Sequence, residues 1–254
     1  MSLHVETIGG GAPLVLLHGW GMHGGVWSDV AQRLSQHFQV HCVDLPGFGA
    51  STPLAKTDLD SLVQTLSENF IEPVNVCGWS LGGQVAMHWA ARQPSKVHKL
   101  IMVTSTPCFA ERDDWLFGMQ AEVLEKFAAE LEQNHATTLR RFISLQLRGS
   151  ENERELLIKL REQLFSRGEL DMGALRGGLE ILRDADQRSE VAGIKQQALV
   201  IAGQRDKLTP PEASYYLAQV MPNAKVIEIE GAAHAPFLSH PDIFIEHVKS
   251  FLNE

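Results

Sequence analysis

Short runs of consecutive aliphatic and β-branched residues punctuate the first hundred positions, at 14–17, 40–44, 74–78 and 100–104. They are continuous rather than alternating, as parallel strands covered on both faces require. Helical periodicity fills the intervals at 26–37, 59–70 and 81–93, and Pro94 stops the last of these. From about 108 to 192 such runs vanish. Glu, Gln, Arg and Leu dominate there, and Leu139, Phe142 and Ile143, then Leu157, Leu160 and Leu164, recur at helical spacing. The alternation resumes with strands expected at 198–202 and 226–229, a helix between them at 211–220 and a terminal helix at 243–252. The spacing predicts an α/β fold: a mostly parallel central sheet flanked by helices, with a helical cap, or lid, inserted between strands. Residues 1–107 and 193–254 would form the core and 108–192 the cap, above the strands' carboxyl ends, where open α/β sheets bind ligands.

Composition narrows the function classes. A chain of 254 residues buries a sizeable core without metal or disulfide staples. Its net charge of −9 disfavours general nucleic-acid binding, which needs clustered cations. Cys42, Cys77 and Cys108 are odd in number and lack metal-ligand spacing, and two sit in apolar runs, so reduced thiols are expected. No basic, apolar leader opens the sequence, and no apolar run approaches the roughly 20 residues that span a bilayer. The expectation is a cytoplasmic monomer without membrane attachment, metal or cofactor.

Gly78-Trp79-Ser80-Leu81-Gly82 fits G-x-S-x-G, between an apolar strand and an Ala-rich helix. Glycines on both sides permit the tight turn that lifts a serine hydroxyl above the sheet, and the following helix points free N–H groups at developing negative charge. A serine hydroxyl is a weak nucleophile until a base, itself oriented by a carboxylate, takes its proton. In this arrangement the chain order is Ser, acid, His. Asp206 lies just past the strand at 198–202, and His234 follows the strand at 226–229 across Gly231-Ala232-Ala233. Both therefore belong to the sheet edge of Ser80, which makes Ser80, Asp206 and His234 the candidate triad. A helix-capping Asp206 and a structural turn His234 are the bland readings. His88 on the helix after Ser80, His98 before a strand and His240 before Pro241 do not occupy such strand ends.

An oxyanion needs two N–H donors. Leu81 follows the nucleophile, and Trp20 lies in His18-Gly19-Trp20-Gly21 after the first strand; these two are the candidates. The Trp20 indole walls an acyl pocket or is purely structural, and His18 braces the loop. A serine nucleophile disfavours the related hydrolases that attack with a carboxylate. No phosphate-binding loop, nucleotide fingerprint or metal cluster is present.

Between Arg140 and Arg167 seven basic residues (Arg140, Arg141, Arg148, Arg154, Lys159, Arg161, Arg167) face four acidic ones (Glu151, Glu153, Glu155, Glu162). Arg141 and Arg148 share a helix face, as do Arg154 and Arg161. Folded into a hairpin at Gly149-Ser150, these helices present either a basic surface to an acidic partner protein or an ordinary solvated face.

The chain resembles the biotin-synthesis carboxylesterases that cleave the methyl ester of pimeloyl-[acyl-carrier protein], a family of the α/β-hydrolase superfamily. The resemblance runs through Leu16-Leu17-His18-Gly19-Trp20-Gly21, Val43-Asp44-Leu45-Pro46-Gly47-Phe48-Gly49, Gly78-Trp79-Ser80-Leu81-Gly82-Gly83 and Ala232-Ala233-His234-Ala235-Pro236-Phe237. More diagnostic are Pro107-Cys108-Phe109 with Arg112-Asp113-Asp114-Trp115 at the cap entrance and Gly177-Gly178-Leu179-Glu180-Ile181-Leu182 at its exit. The resemblance implies the same triad and oxyanion hole, with Trp20, Ser80, Leu81 and His234 at the substrate. It also implies an acyl channel lined by Phe142, Ile143, Ser144, Leu145 and Gln146, and carrier-protein contacts at Arg141 and Arg154. Thr137 and Ile158 stand where further arginines are expected. The partner implied is an acyl-carrier protein bearing a pimeloyl methyl ester. A general short-chain carboxylesterase, a hydrolase of carbon–carbon or amide bonds, and a ligand sensor on a hydrolase fold remain the alternatives.

Overall fold

The computed structural model describes residues 2–164, 166–167 and 171–254. Elements follow the chain as β1 (Val5–Ile8), β2 (Pro13–Leu17), a 3-10 turn (Gly24–Trp27), α1 (Ser28–Leu34), β3 (Gln39–Val43), α2 (Leu59–Asn69), β4 (Val74–Trp79), α3 (Leu81–Arg92) and β5 (Val97–Val103). Then come α4 (Ala121–Leu147), α5 (Glu153–Leu164), α6 (Met172–Asp184) and α7 (Arg188–Val191). The chain closes with β6 (Gln197–Gly203), α8 (Pro211–Val220), β7 (Ala224–Ile229), α9 (Pro236–Ser239) and α10 (Pro241–Asn253).

The strands form one sheet of order β1-β3-β2-β4-β5-β6-β7. All neighbours pair in parallel except β1, which runs antiparallel to β3 with Val5 opposite Val43. This edge strand was not expected from sequence: Val5-Glu6-Thr7-Ile8 is partly solvated and carries no continuous apolar run. β4 is buried at every position and lies at the middle of the sheet. His98 lies inside β5 rather than before it.

Helices α4 to α7 sit between adjacent strands β5 and β6, so the connection leaves the sheet and returns beside its starting point. α4 is kinked at Asn134, whose φ of −156° and ψ of 77° break the helix. The Asn134 Oδ1 accepts the Thr137 N–H at 3.1 Å and so starts the second half as a side-chain cap does. The α4–α5 turn falls at the expected hairpin, with Gly149 at φ +88°.

Below the site the core is aromatic. Trp27 and Phe237 have ring centroids 4.1 Å apart, Trp79 meets Phe237 edge-on at 5.0 Å, and Phe244 closes the group. Because Trp79 immediately precedes Ser80, this packing fixes the strand end that carries the serine. Among the described residues no helix is long and apolar enough to cross a membrane.

Candidate active site

Ser80 joins β4 to α3 with φ +55° and ψ −118°, a backbone state that costs a non-glycine residue energy and persists only under constraint. The constraints are visible. Its N–H bonds Val103 O at 3.0 Å, and its carbonyl accepts the Ser105 hydroxyl at 2.8 Å. A Cβ at Gly78 would strike the Gly82 backbone, and one at Gly82 would strike Leu17, so both glycines are needed for the turn. Gly19 approaches from β2: its added Cβ would lie 3.2 Å from Ser80 Cβ.

Asp206 and His234 lie past the carboxyl ends of β6 and β7 on the same sheet edge. The His234 Nδ1–H donates to Asp206 Oδ2 at 2.8 Å. The Thr209 hydroxyl donates to the same oxygen at 2.7 Å, while Oδ1 accepts the Leu208 and Thr209 N–H groups at 2.8 and 3.1 Å. Four donors hold one buried carboxylate. The His234 carbonyl accepts the Trp79 indole N–H at 2.6 Å and the Thr104 hydroxyl at 2.7 Å, which ties the base's loop to the strand ends of β4 and β5. The other ring nitrogen, Nε2, is buried and has no partner. Ser80, Asp206 and His234 are 5 %, 2 % and 1 % exposed, so the site is closed to bulk water.

Trp79, Thr104 and Thr209 were not foreseen. Only Thr209 left a local signal, since Asp206-x-x-Thr209 is the spacing at which an aspartate caps the backbone after a strand. Leu81 is the first residue of α3, where an N–H has no acceptor within its own helix. Trp20 shares the β2 loop with Gly19, and its indole N–H donates to Leu175 O of α6 at 2.9 Å. Its ring meets Phe142 edge-on at 4.9 Å. Gly178 admits that ring, because a Cβ there would come within 2.7 Å of the indole. The paired glycines at 177 and 178 thus let α6 settle on Thr57 and Trp20.

The five residues expected along the channel do not share one direction, as consecutive positions of a helix cannot. Phe142 reaches Trp20, and Ile143 is buried. The Gln146 carbonyl accepts the His234 N–H at 3.1 Å, and its side-chain amide is buried with neither atom partnered. Ser144 turns toward α5, donating to Arg140 O at 2.9 Å and accepting from Arg161 at 3.3 Å. Leu145 is half-buried beside Arg148 in an open groove. Of the expected carrier contacts, Arg141 is paired with Glu130 at 2.7 Å and lies over the Phe127 ring at 5.3 Å. Arg154 edges a shallow depression with Asn152, Glu153, Glu155 and Ile158.

The loop histidine braces, as expected. The His18 Nδ1–H donates to Gly19 O at 2.8 Å and Nε2 accepts the Leu45 N–H at 2.9 Å, a pattern that only the neutral ring can make. Burial pushes its pKa down from 6.5 to about 4. Nearby, Asp44 is fully buried and accepts the Gly24 and Ala50 N–H groups at 2.7 and 2.9 Å and the Arg167 guanidinium at 3.0 Å. Burial alone would raise its pKa, but the Ala50 and Gly24 N–H groups, His18 and Arg167 hold it below the usual range. Arg167 also bonds Glu6, and the His23 Nε2–H donates to Gln163 O at 2.7 Å. This cluster fastens the end of α5 to the core, and sequence gave no sign of it.

The family profile of the alpha/beta hydrolase fold matches residues 12–241. Curated relatives named pimeloyl-[acyl-carrier protein] methyl ester esterase include one from Nitrosomonas europaea, 42% identical over 96% of this chain and 97% of the relative. Another, from Chromobacterium violaceum, is 42% identical over 99% of this chain and 98% of the relative. Among solved structures, an esterase from Exiguobacterium antarcticum superposes with a TM-score of 0.90 at 23% identity, covering 99% of this chain and 96% of that one, a likeness of fold. The chain belongs to the α/β-hydrolase superfamily and, within it, to the family of pimeloyl-[acyl-carrier protein] methyl ester esterases.

Proposed function

We propose that Ser80, His234 and Asp206 act as a catalytic triad that hydrolyses the methyl ester of a pimeloyl chain held on an acyl-carrier protein. The products are methanol and the free carboxylate, a step of biotin synthesis. One observation carries the chemistry: Asp206 holds one imidazole nitrogen of His234 at 2.8 Å while the other is buried and unpartnered, on the sheet edge where Ser80 sits at a strained turn. The substrate rests on the names of the relatives, which match this chain nearly end to end.

In the first half-reaction His234 Nε2 takes the Ser80 proton as Oγ attacks the ester carbonyl. The Leu81 and Trp20 N–H groups hold the oxyanion. The carbonyl–OCH3 bond breaks and methanol leaves with the proton from His234. A water then gives its proton to His234 and attacks the acyl-enzyme, and Ser80 recovers its proton as the acid departs. Residues 108–192 act as a cap that closes over the acyl chain, with Trp20, Phe142 and Ile143 as an apolar lining. Gln146 offers the entering chain a buried amide that has no partner of its own.

The test is turnover of methyl pimeloyl-carrier protein followed by intact mass, against p-nitrophenyl esters of short acids. The expected result is conversion of the carrier-bound methyl ester to the acid, with the higher kcat/KM. An unchanged carrier beside rapid cleavage of the simple esters would favour a general carboxylesterase.

A further inference from the structure

The arginines of this chain are mostly engaged. Arg33, Arg92, Arg141, Arg167, Arg176, Arg183 and Arg188 each pair with a carboxylate. One groove is different. It has a volume of about 620 Å³ and lies between the two ends of α4 and the β6–α8 loop. Its floor is Met119, Val123, Leu145 and Leu208, and Arg148, Arg205 and Lys207 stand along it. All three cations are exposed, and no carboxylate lines the groove. Among the described residues none of the three has an acidic partner; Arg205 donates only to Gly149 O, at 3.1 Å. The nearby carboxylates are used elsewhere: Glu153 accepts the Gly149 N–H at 3.0 Å, and Glu151 faces His240 at 3.8 Å. Three uncompensated positive charges beside an apolar trough, in a chain of net −9, form a local site for an anion attached to an apolar or amide-rich chain.

The groove also borders the catalytic loops. The Leu208 N–H bonds Asp206, and Leu145 adjoins Gln146, whose carbonyl holds the His234 N–H. A contrasting groove between α4 and α6, lined by Leu124, Leu131 and Leu179, has no such charge, because its Arg176 is clamped by Glu132.

We propose that Arg148, Arg205 and Lys207 bind the phosphodiester of the carrier's phosphopantetheine arm, while the apolar floor leads the arm toward Ser80. The proposal rests on the carrier-bound substrate proposed above and gives it a point of entry. An acyl carrier presents its chain as a thioester on that arm, so every substrate molecule brings one phosphodiester at a fixed distance from the ester to be cut. Charge-assisted hydrogen bonds from guanidinium groups suit that anion.

The experiment compares two small thioesters, methyl pimeloyl-phosphopantetheine and methyl pimeloyl-pantetheine, which differ in the phosphate alone. The wild-type enzyme is expected to show a KM roughly tenfold lower for the phosphorylated compound at low salt, with little change in kcat. In the triple variant R148Q/R205Q/K207Q the ratio of the two KM values is expected to fall to about one. Lys207 adjoins Asp206, so the pair R148Q/R205Q is measured as well and is expected to remove most of the preference. Melting curves confirm that the variants fold. Equal KM values in the wild type, or a ratio that survives the triple substitution, would overturn the groove's role. Failure of the wild type to cleave either thioester would instead defeat the carrier-bound substrate, and the role of the groove with it.

Discussion

On the sheet side of the site, Asp206 accepts four hydrogen bonds, the His234 carbonyl accepts two, and all six are buried. On the side of the inserted helices the attachments are fewer and spread out: Trp20 to Leu175, His234 to Gln146, Arg205 to Gly149, and Arg167 to Asp44 and Glu6. The first arrangement suits groups that must meet a transition state without rearranging. The second suits a cover that has to part from the core, because with Ser80 and His234 almost fully enclosed no acyl chain can enter until it does. Fixed geometry below and releasable contacts above is the division of labour that a closed hydrolase site demands.

Substitutions on the two sides should therefore fail differently. Ser80→Ala is expected to lower kcat on the order of a million-fold with little loss of stability, checked by steady-state kinetics and thermal melts. Asp206→Asn is expected to cost about 10⁴-fold in kcat, since His234 loses the acceptor that sets its tautomer. On the cover side, Arg167→Ala strips a buried carboxylate of its cation. It should destabilise the fold by about 3 kcal/mol, near the low end for broken buried pairs because the guanidinium is partly exposed. Urea midpoints measure this.

Acid sharpens the contrast through His18. Its folded pKa lies near 4 against 6.5 in the free side chain, so between those values the unfolded chain binds a proton that the folded chain refuses. Stability thus falls as pH falls. The expected loss is about 2 kcal/mol between pH 7 and pH 5, and His18→Asn should flatten that slope. The smallest effect is reserved for Thr209→Val, which removes one of the four donors to Asp206: about tenfold in kcat, with KM nearly unchanged.

The same division explains what sequence revealed. Ser80, Asp206, His234 and Trp20 were legible because each stands a few residues beyond a strand with a continuous apolar run, and parallel strands bring such loops to one edge. The insertion was legible only as helical. Its links to the core join residues far apart in the chain, Arg167 to Asp44 and Trp20 to Leu175 among them, and helical periodicity holds no record of such pairs. The kink at Asn134 did leave a trace in its capping relation to Thr137. The β1 edge strand left none, being half-solvated and only four residues long.

The most direct measurement is covalent labelling with a fluorophosphonate, with the site mapped by peptide mass spectrometry and its rate followed in wild type and His234→Ala. Labelling of Ser80 alone, slowed by several orders of magnitude without the imidazole, is the expected result. A label on another residue, or an equal rate in the His234 variant, would contradict the assignment of Ser80 as a nucleophile activated by His234.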